Sequence, residues 1–199
     1  MSDALSRDPP DRAPSPSPEE PDADLDYSVD AEDRIVAVEE EWERFARSNA
    51  APGLAGALHG RSLWDFISDP TTRELYRDML KRVRAGTPIR IPFRCDAPDR
   101  RRFMELQVVA EADGTVHFHS HLLRLEWRDP VELLGSGPRN PATPPLNICS
   151  WCKHVEVEEE WIEVEEAVER LELFGDHPPP LLSHGICPSC EKGMNEALD

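Results

Sequence analysis

The sequence has few basic residues, and this scarcity narrows the partners that the protein can have. Lys and Arg together number 22 against 40 Asp and Glu, which gives a formal net charge of −18. Nucleic-acid binding depends on cationic side chains that neutralise phosphates, and an anionic membrane surface attracts the same side chains. We therefore expect neither nucleic acid nor a membrane as a partner.

Long hydrophobic runs are also missing. No apolar stretch approaches the roughly 20 residues that a membrane-spanning helix needs. Residues 1–5 show no basic stretch followed by an apolar core, which is the form of a signal peptide. These two absences predict a cytoplasmic protein, in which cysteines stay reduced or hold metal.

Recognisable catalytic patterns are absent as well. The sequence shows no catalytic triad, no glycine-rich phosphate loop and no paired carboxylates in a predicted pocket. A kinase core or a phosphoacceptor domain does not fit in 199 residues beside the elements described below. We predict that the protein is not an enzyme and that any signalling output passes through a partner.

Cysteines number only five, but four of them are arranged in two close pairs. Cys149 and Cys152 form one C-x-x-C sequence, and Cys187 and Cys190 form the other. Such a turn lets two thiolates face one point about 2.3 Å from a metal, and two turns complete a tetrahedral zinc site. Four protein ligands leave no position for a catalytic water, so the predicted Zn²⁺ is structural.

The same cysteines allow other interpretations. His154 and His184 stand beside them and could replace one ligand, and the interval between the pairs is longer than in a compact zinc ribbon. Free thiols, a disulfide pair and a thiol-based redox sensor are the alternatives. Reactive thiolates of low pKa and loss of metal on oxidation would distinguish the redox sensor.

The chain divides into four segments by composition. Pro and acidic residues dominate residues 1–25, which predicts a disordered tail. Residues 26–126 show the patterns of strands and helices, and residues 127–147 are rich in Pro and Gly, as linkers are. Residues 148–199, the C-terminal segment, carry the four cysteines and few apolar side chains, so a metal cross-link should be needed for folding. We expect loss of a ligand to unfold this segment alone.

Residues 26–126 are predicted to form two strands, short helices and three further strands. Residues 27–29 and 34–38 make the first hairpin, and Asp113 with Gly114 joins the last two strands. Asp69 should cap the longest helix. The prediction is an α+β fold with six side chains buried in its core: Trp64, Phe66, Phe93, Met104, Leu106 and Phe118.

This order of elements resembles the PAS fold, a five-stranded antiparallel sheet with helices on one face. Four stretches carry the likeness: residues 29–35 (VDAEDRI), 60–67 (GRSLWDFI), 92–98 (PFRCDAP) and 101–106 (RRFMEL). With its ending (ICSWCK and SHGICPSC), the whole chain is similar to a group of small bacterial PAS-like proteins. The resemblance implies a signalling or regulatory protein with protein partners, which senses or forms a homodimer through its PAS-like part. The zinc-ribbon-like module at the end of the chain is predicted from the two cysteine pairs, and the resemblance does not settle its role.

PAS domains often hold a small ligand between sheet and helices, which makes a ligand-binding sensor a further alternative. The flavin-adduct branch carries an Asn-Cys-Arg-Phe-type motif that has no counterpart here. The haem branch uses a His on the long helix, and residues 70–85 contain none. His59 lies before that helix and is more typical of a structural histidine. Neither haem nor flavin is expected.

Three histidines, His117, His119 and His121, alternate along the last predicted strand, so they project from one face. The opposite face is apolar, which predicts that the histidines point outward. Two such histidines can chelate a metal, although a polar outer face is the more ordinary arrangement. In a homodimer that used this face, protonation below about pH 6.5 would favour dissociation.

The C-terminal segment should contain a short strand at residues 155–157 and then a helix. Trp161, Val164, Val168 and Leu171 fall on one apolar helical stripe, which predicts that all four lie in this helix. In the preceding linker, residues 131–134 are apolar enough to dock on the PAS-like sheet.

Overall fold

The protein is described here from a computed structural model, in which residues 25–39, 42, 54–174 and 177–198 are described. The predicted tail lies outside these residues, except for Leu25. Residues 39–47, for which the sequence predicts a short helix, lie mostly outside them as well. Within the described residues, no helix is both long and apolar enough to span a bilayer.

Five strands form the first sheet: β1 (Leu25–Val29), β2 (Ile35–Val38), β3 (Ile89–Arg94), β4 (Arg100–Ala110) and β5 (Val116–Trp127). Their spatial order is β2-β1-β5-β4-β3, and every pair of neighbours is antiparallel. β1 and β5, far apart in the sequence, therefore lie side by side, and the chain returns to its first strand with its last. The predicted five-stranded antiparallel sheet is confirmed.

Helices between β2 and β3 cover one face of this sheet. They are α1 (Leu54–Leu58), a 3-10 turn (Leu63–Asp65) and α2 (Pro70–Arg84). Asp69 caps α2 as predicted, because its carboxylate accepts a hydrogen bond from the Thr72 N–H at 2.7 Å. The buried stripe of α2 includes Met79, Leu80 and Val83, which share one apolar cluster with the sheet. We call this sheet with α1 and α2 the PAS-like unit, because it is the arrangement that the resemblance implies.

The turn at Gly114 sets the register of the two longest strands. Gly114 has a φ of 89°, in the left-handed region that favours glycine. A Cβ at this position would also meet the Ala31 Cβ at 3.2 Å. Asp113 accepts a hydrogen bond from the Thr115 N–H at 2.9 Å, which closes the turn. The hairpin predicted from these two residues is confirmed.

Three of the six predicted core side chains are buried. Met104, Leu106 and Phe118 are at most 5% exposed. They lie on the sheet face that α2 covers. Along β4 and the first residues of β5, buried residues of this face alternate with half-buried residues of the opposite face. The predicted inward face of the sheet is therefore confirmed.

The prediction that Phe66 is buried is wrong, because this residue is 43% exposed. The ring lies just after the 3-10 turn, and the Arg61 guanidinium covers it at 4.7 Å from the ring centroid. Trp64 and Phe93 are only half-buried. The Trp64 indole N–H donates to the Asp33 carboxylate at 3.0 Å, and this polar partner keeps one edge of the ring near solvent.

Replacing Leu106 by alanine should lower the free energy of unfolding by about 2–5 kcal/mol, as truncation of a buried leucine does. Leu106 is 5% exposed, whereas Leu123 on β5 is 62% exposed. The matched variant Leu123→Ala should change the same quantity by less than about 0.5 kcal/mol. Equal effects in urea unfolding would show that the assigned inward face is wrong.

A second sheet of four strands follows: β6 (Leu146–Cys149), β7 (Val155–Val157), β8 (Glu160–Ile162) and β9 (Leu182–Gly185). Its order is β8-β7-β6-β9, and β6 and β9 run parallel while the other pairs are antiparallel. Two helices complete this part, α3 (Val164–Arg170) and α4 (Pro188–Leu198). This mixed sheet with its helices agrees with the predicted α+β class. The predicted zinc-ribbon-like module is not confirmed.

The prediction that Trp161 lies in the helix of the C-terminal segment is wrong. Trp161 lies in β8, and α3 begins only at Val164. Glu158 and Glu159 both have positive φ, 50° and 70°, and turn the chain between β7 and β8. Such a two-residue turn usually carries Asn or Gly, so two glutamates gave no turn signal in the sequence.

The apolar linker residues pack on the second sheet, not on the first. Val131 and Leu133 are buried in one cluster with Ile148, Val155 and Val164. The earlier expectation that residues 131–134 dock on the PAS-like sheet is therefore wrong. A separate cluster was available to them because β6, β7 and α3 form an apolar core of their own.

Buried charges join the two sheets. The Arg94 side chain, 9% exposed, bonds to Glu163 beside α3 at 2.8 Å and to Asp96, whose side chain is wholly buried. Arg128 lies 3.3 Å from the Asp96 carboxylate and 2.8 Å from the Glu165 carboxylate. Burial opposes the charge of Arg94, but these hydrogen bonds raise its pKa above the ordinary value. The cluster thus fixes α3 against the PAS-like unit.

This charge cluster predicts a loss of stability in acid. Burial alone would raise the pKa values of Glu163 and Glu165, but hydrogen bonds, including those from Arg94 and Arg128, lower both below the usual range. A carboxylate whose pKa is depressed on folding stabilises the fold above its unfolded pKa of about 4.3, and this contribution is lost as pH falls through the folded pKa. The temperature of the thermal midpoint should therefore decrease when the pH is lowered below about 4.3.

The acid effect can be assigned with two variants. Glu163→Gln should lower the midpoint at pH 7 and should show a smaller further fall in acid than the wild type. Glu196→Gln changes an exposed carboxylate of α4, so it should keep the full decline of the wild type. If the thermal midpoints of wild type and Glu163→Gln depended on pH in the same way, Glu163 would not contribute to the loss of stability in acid.

Candidate metal centre

The parallel pairing of β6 and β9 brings the two cysteine turns together. Cys149 is the last residue of β6 and is paired with Gly185 at the end of β9. Parallel strands end at the same edge of a sheet, so the turns that follow them start side by side. Cys152 lies in the turn after β6, and Cys187 and Cys190 lie just before α4 and in its first turn.

The four sulfur atoms converge on one point. All four lie within 4.8 Å of one another, and the Cys152 and Cys187 sulfurs are 3.7 Å apart. A tetrahedron with metal–sulfur bonds of about 2.3 Å has edges of about 3.8 Å. The spacing therefore fits one metal ion held by four thiolates. None of the five cysteines, all of which lie among the described residues, forms a disulfide, and Cys95 lies outside the four-sulfur group.

Backbone groups support the sulfur atoms. The Cys187 N–H donates to the Cys149 sulfur, and the Cys190 N–H donates to the Cys187 sulfur, both at 3.4 Å. The turn between the first two cysteines is closed by Lys153, whose φ is 66° and whose N–H donates to the Cys149 carbonyl at 3.0 Å. Cys149 and Cys187 are buried, while Cys152 and Cys190 are half-buried. Solvent thus reaches only one side of the cluster.

The thiols influence one another strongly. Hydrogen bonds from the Cys152 and Cys190 thiols lower the pKa of Cys149. The bond to Cys149 raises the pKa of Cys152 to about 12, and bonds to Cys149 and Cys152 raise that of Cys190 as well. Protein alone therefore stabilises one thiolate here, because further negative charges would repel it. A divalent cation would supply the charge that lets all four thiols ionise.

The histidines beside the cysteines do not enter the group. His154 Nε2 lies 3.3 Å from a Glu163 oxygen, in the charge cluster that joins the two sheets. His184 lies on β9 and pairs with Ile148 across the parallel ladder. Burial and the nearby Lys153 lower the pKa of His184. The donor set that the structure brings together is therefore four cysteines.

The C-terminal segment packs onto the PAS-like unit through this cluster. Cys149, Trp151 and Cys187 belong to the same buried apolar cluster as Phe118 and Val83. In addition, the Arg94 N–H at the end of β3 donates to the Trp151 carbonyl at 2.6 Å. A metal held here would thus act directly beside the core of the first sheet.

Two of the solved structures that are similar to this chain cover about half of it. A domain of an HTR-like protein from Haloarcula marismortui ATCC 43049 is 17% identical, with a TM-score of 0.33, over 51% of this chain and 98% of that one. A sensory box sensor histidine kinase from Vibrio cholerae is 13% identical, with a TM-score of 0.37, over 52% of this chain and 84% of that one. No protein-family model matches the chain. No curated protein matches it either.

The three alternating histidines lie on the outer face of the first sheet, as predicted. Their rings stack with centroids 5.9 Å apart for His117 and His119 and 6.4 Å apart for His119 and His121. His119 Nδ1 lies 2.8 Å from Asp26, and His117 Nε2 lies 3.0 Å from Glu111. Within residues 25–39, 42, 54–174 and 177–198, only the four-cysteine group brings three or more ligand side chains together around one point.

Proposed function

We propose that the chain is a non-enzymatic bacterial signalling protein, in which the PAS-like unit senses or dimerises and a structural Zn²⁺ orders the C-terminal segment as a protein-binding surface. The convergence of four cysteine sulfurs from two turns is the observation that carries the proposal. Four protein ligands fill a tetrahedral zinc site, so the metal would hold the fold and would not activate water. Thiolate ligands favour zinc over Mg²⁺ or Ca²⁺.

The surface offered to a partner would be acidic. The last 73 residues, 127–199, carry 15 acidic and 5 basic residues. Glu158, Glu159 and Glu160 are exposed on the β7–β8 hairpin, and Glu166 and Glu169 are exposed on α3. A basic patch on another protein would complement this surface and speed association at low salt. Binding of such a partner should weaken steeply as salt is raised.

A thiol-based redox sensor is the second candidate. The observation that favours it is the distance of 3.7 Å between the Cys152 and Cys187 sulfurs, which are not joined in a disulfide and could be joined on oxidation. The two candidates differ in metal content. Protein purified under reducing conditions without chelator should contain one zinc per chain in the first case and none in the second.

We also propose a homodimer that uses the outer face of the first sheet, where the stacked histidines lie. Light scattering should show a dimer at pH 8 that dissociates in part at pH 5.5, since protonation adds like charges to this face. The carboxylates of Asp26 and Glu111 beside His119 and His117 should limit the effect. A monomer at both pH values would contradict the proposal.

A further inference from the structure

The outer face of the first sheet carries a group of metal-ligating side chains apart from the cysteines. His119 and His121 are neighbours on this face, because they stand two residues apart on β5. Their rings are stacked, with centroids 6.4 Å apart and planes 6° from parallel. Glu105 of β4 is the residue directly opposite His121 on the adjacent strand. Two imidazoles and a carboxylate therefore lie side by side on neighbouring strands.

Asp26 prepares His119 to act as a ligand. The His119 Nδ1 lies 2.8 Å from the Asp26 carboxylate, which can only accept a hydrogen bond. Nδ1 therefore carries the proton of the neutral ring, and Nε2 keeps the lone pair that a metal needs. Metal-bound histidines usually have such a carboxylate on their other nitrogen, which fixes the ring and makes it more basic. The His119 side chain is 34% exposed, so an ion from solvent can reach it.

The third histidine of the row, His117, is placed differently. Its Nε2 lies 3.0 Å from a Glu111 oxygen and has almost no solvent-accessible surface. The outer nitrogen of this ring is therefore covered and is not offered to an ion. This difference selects His119 and His121 as the chelating pair.

The distance between the two selected rings suits a shared ion after a small movement. With metal–nitrogen bonds of about 2.0–2.1 Å, two imidazoles on one tetrahedral ion have ring centroids about 5 Å apart. The rings of His119 and His121 are farther apart than this by roughly 1 Å. Both side chains are half-buried, and small rotations about their χ angles can close this gap without moving the strand.

Glu105 can supply an oxygen ligand to the same ion. Its side chain is 32% exposed, and a guanidinium nitrogen of Arg90 lies 4.0 Å from its carboxylate. That distance is too long for a hydrogen bond, and the Arg90 side chain is 65% exposed, so this ion pair is weak. A divalent cation carries twice the charge of arginine and can displace it from the carboxylate.

We propose that His119, His121 and Glu105 bind one divalent transition-metal ion on the outer face of the first sheet. Imidazole nitrogens favour ions such as Zn²⁺, Ni²⁺ and Cu²⁺, whereas Mg²⁺ and Ca²⁺ prefer oxygen ligands. Water would fill the remaining positions, so this site exchanges its ion with solvent more readily than a closed four-cysteine centre. All three ligands come from one chain. The proposal therefore goes beyond the proposed function and requires neither the cysteine-bound zinc nor the homodimer.

The test is a calorimetric titration of Ni²⁺ into the zinc-loaded full chain at neutral pH. One Ni²⁺ should bind per chain, and Mg²⁺ should not replace it. His119→Gln, His121→Gln and Glu105→Gln should each weaken Ni²⁺ binding at least about tenfold, because loss of an outer-shell partner alone costs about 10–100-fold. Asp26→Asn should weaken it about tenfold for that reason. His117→Gln, which removes a histidine from the same face, should bind Ni²⁺ as the wild type does.

Absorption spectra separate this site from the cysteines, because thiolate-bound Ni²⁺ gives intense charge-transfer bands and Ni²⁺ on imidazole and carboxylate does not. Failure of Ni²⁺ to bind, or equal affinity in wild type, His119→Gln and His121→Gln, would overturn the proposal. Loss of binding in His117→Gln would overturn the choice of ligands. A chain that cannot be loaded with zinc would contradict the proposed function instead, and the histidine variants would still test this site.

Discussion

Replacing Cys187 by serine should abolish zinc binding and unfold the C-terminal segment. Three remaining thiols cannot complete the tetrahedral site, and the apparent binding energy of a structural zinc is about 10–16 kcal/mol. That energy is as large as the whole folding free energy of an ordinary domain, about 5–15 kcal/mol. Without it, the segment would have only the small apolar cluster around Ile148, Val155 and Val164 to offset its strong surplus of carboxylates. Circular dichroism should show lost structure, and the metal content should fall to zero.

The packing extends the expected damage beyond this segment. Cys149, Trp151 and Cys187 lie in the same buried cluster as Phe118 of the first sheet. The sequence alone predicted a PAS-like unit left intact, whereas the structure predicts that its thermal midpoint also falls. Cys95→Ser is the matched control, because Cys95 is half-buried and outside the sulfur group. It should keep one zinc and a near-wild-type midpoint.

Replacing Arg94 by methionine should lower the free energy of unfolding by about 3–5 kcal/mol, the usual cost of removing one partner from a buried ion pair. The Asp96 side chain is 0% exposed and would lose the nearer of its two cationic partners described here, keeping Arg128 at 3.3 Å. Glu163 would lose its bond at the junction of the two sheets. The change should therefore loosen α3 from the PAS-like unit as well as destabilise the fold.

A neighbouring arginine provides the control for this variant. The guanidinium groups of Arg94 and Arg124 both lie over the Phe103 ring, at 5.7 Å and 3.8 Å from its centroid. Arg124, however, is 56% exposed and pairs with the partly exposed Glu126. Arg124→Met should thus change stability by less than about 1 kcal/mol in urea unfolding. Equal effects for the two variants would show that the ring contact, not the buried ion pair, dominates.

The first sheet could be predicted because its sequence follows the rules of strands closely. Residues of β4 alternate between the core and the outer face, and Asp113 with Gly114 gives a strong hairpin signal. The N-cap of α2 could be predicted equally well, because Asp69 precedes a proline at the helix start. These features depend on local spacing, which a sequence displays directly.

Other features depend on contacts between distant residues and left no local signal. Arg94 is buried partly against Glu163, which lies far along the chain and bonds to it at 2.8 Å. Phe66 looked apolar enough for the core, but its place after the 3-10 turn leaves it under Arg61 at the surface. The two cysteine pairs could be recognised in the sequence. The parallel pairing of β6 and β9, which brings the pairs together, could not be predicted, because neither strand exceeds four residues.

Native mass spectrometry of the full chain, purified under reducing conditions without chelator, tests the central claim most directly. The four converging sulfurs predict a mass that exceeds the apoprotein by one zinc per chain, and they predict that this increment disappears in Cys187→Ser and persists in Cys95→Ser. Wild-type protein that carries no metal, and takes up none when zinc is added, would contradict the structural-zinc account and favour the redox sensor.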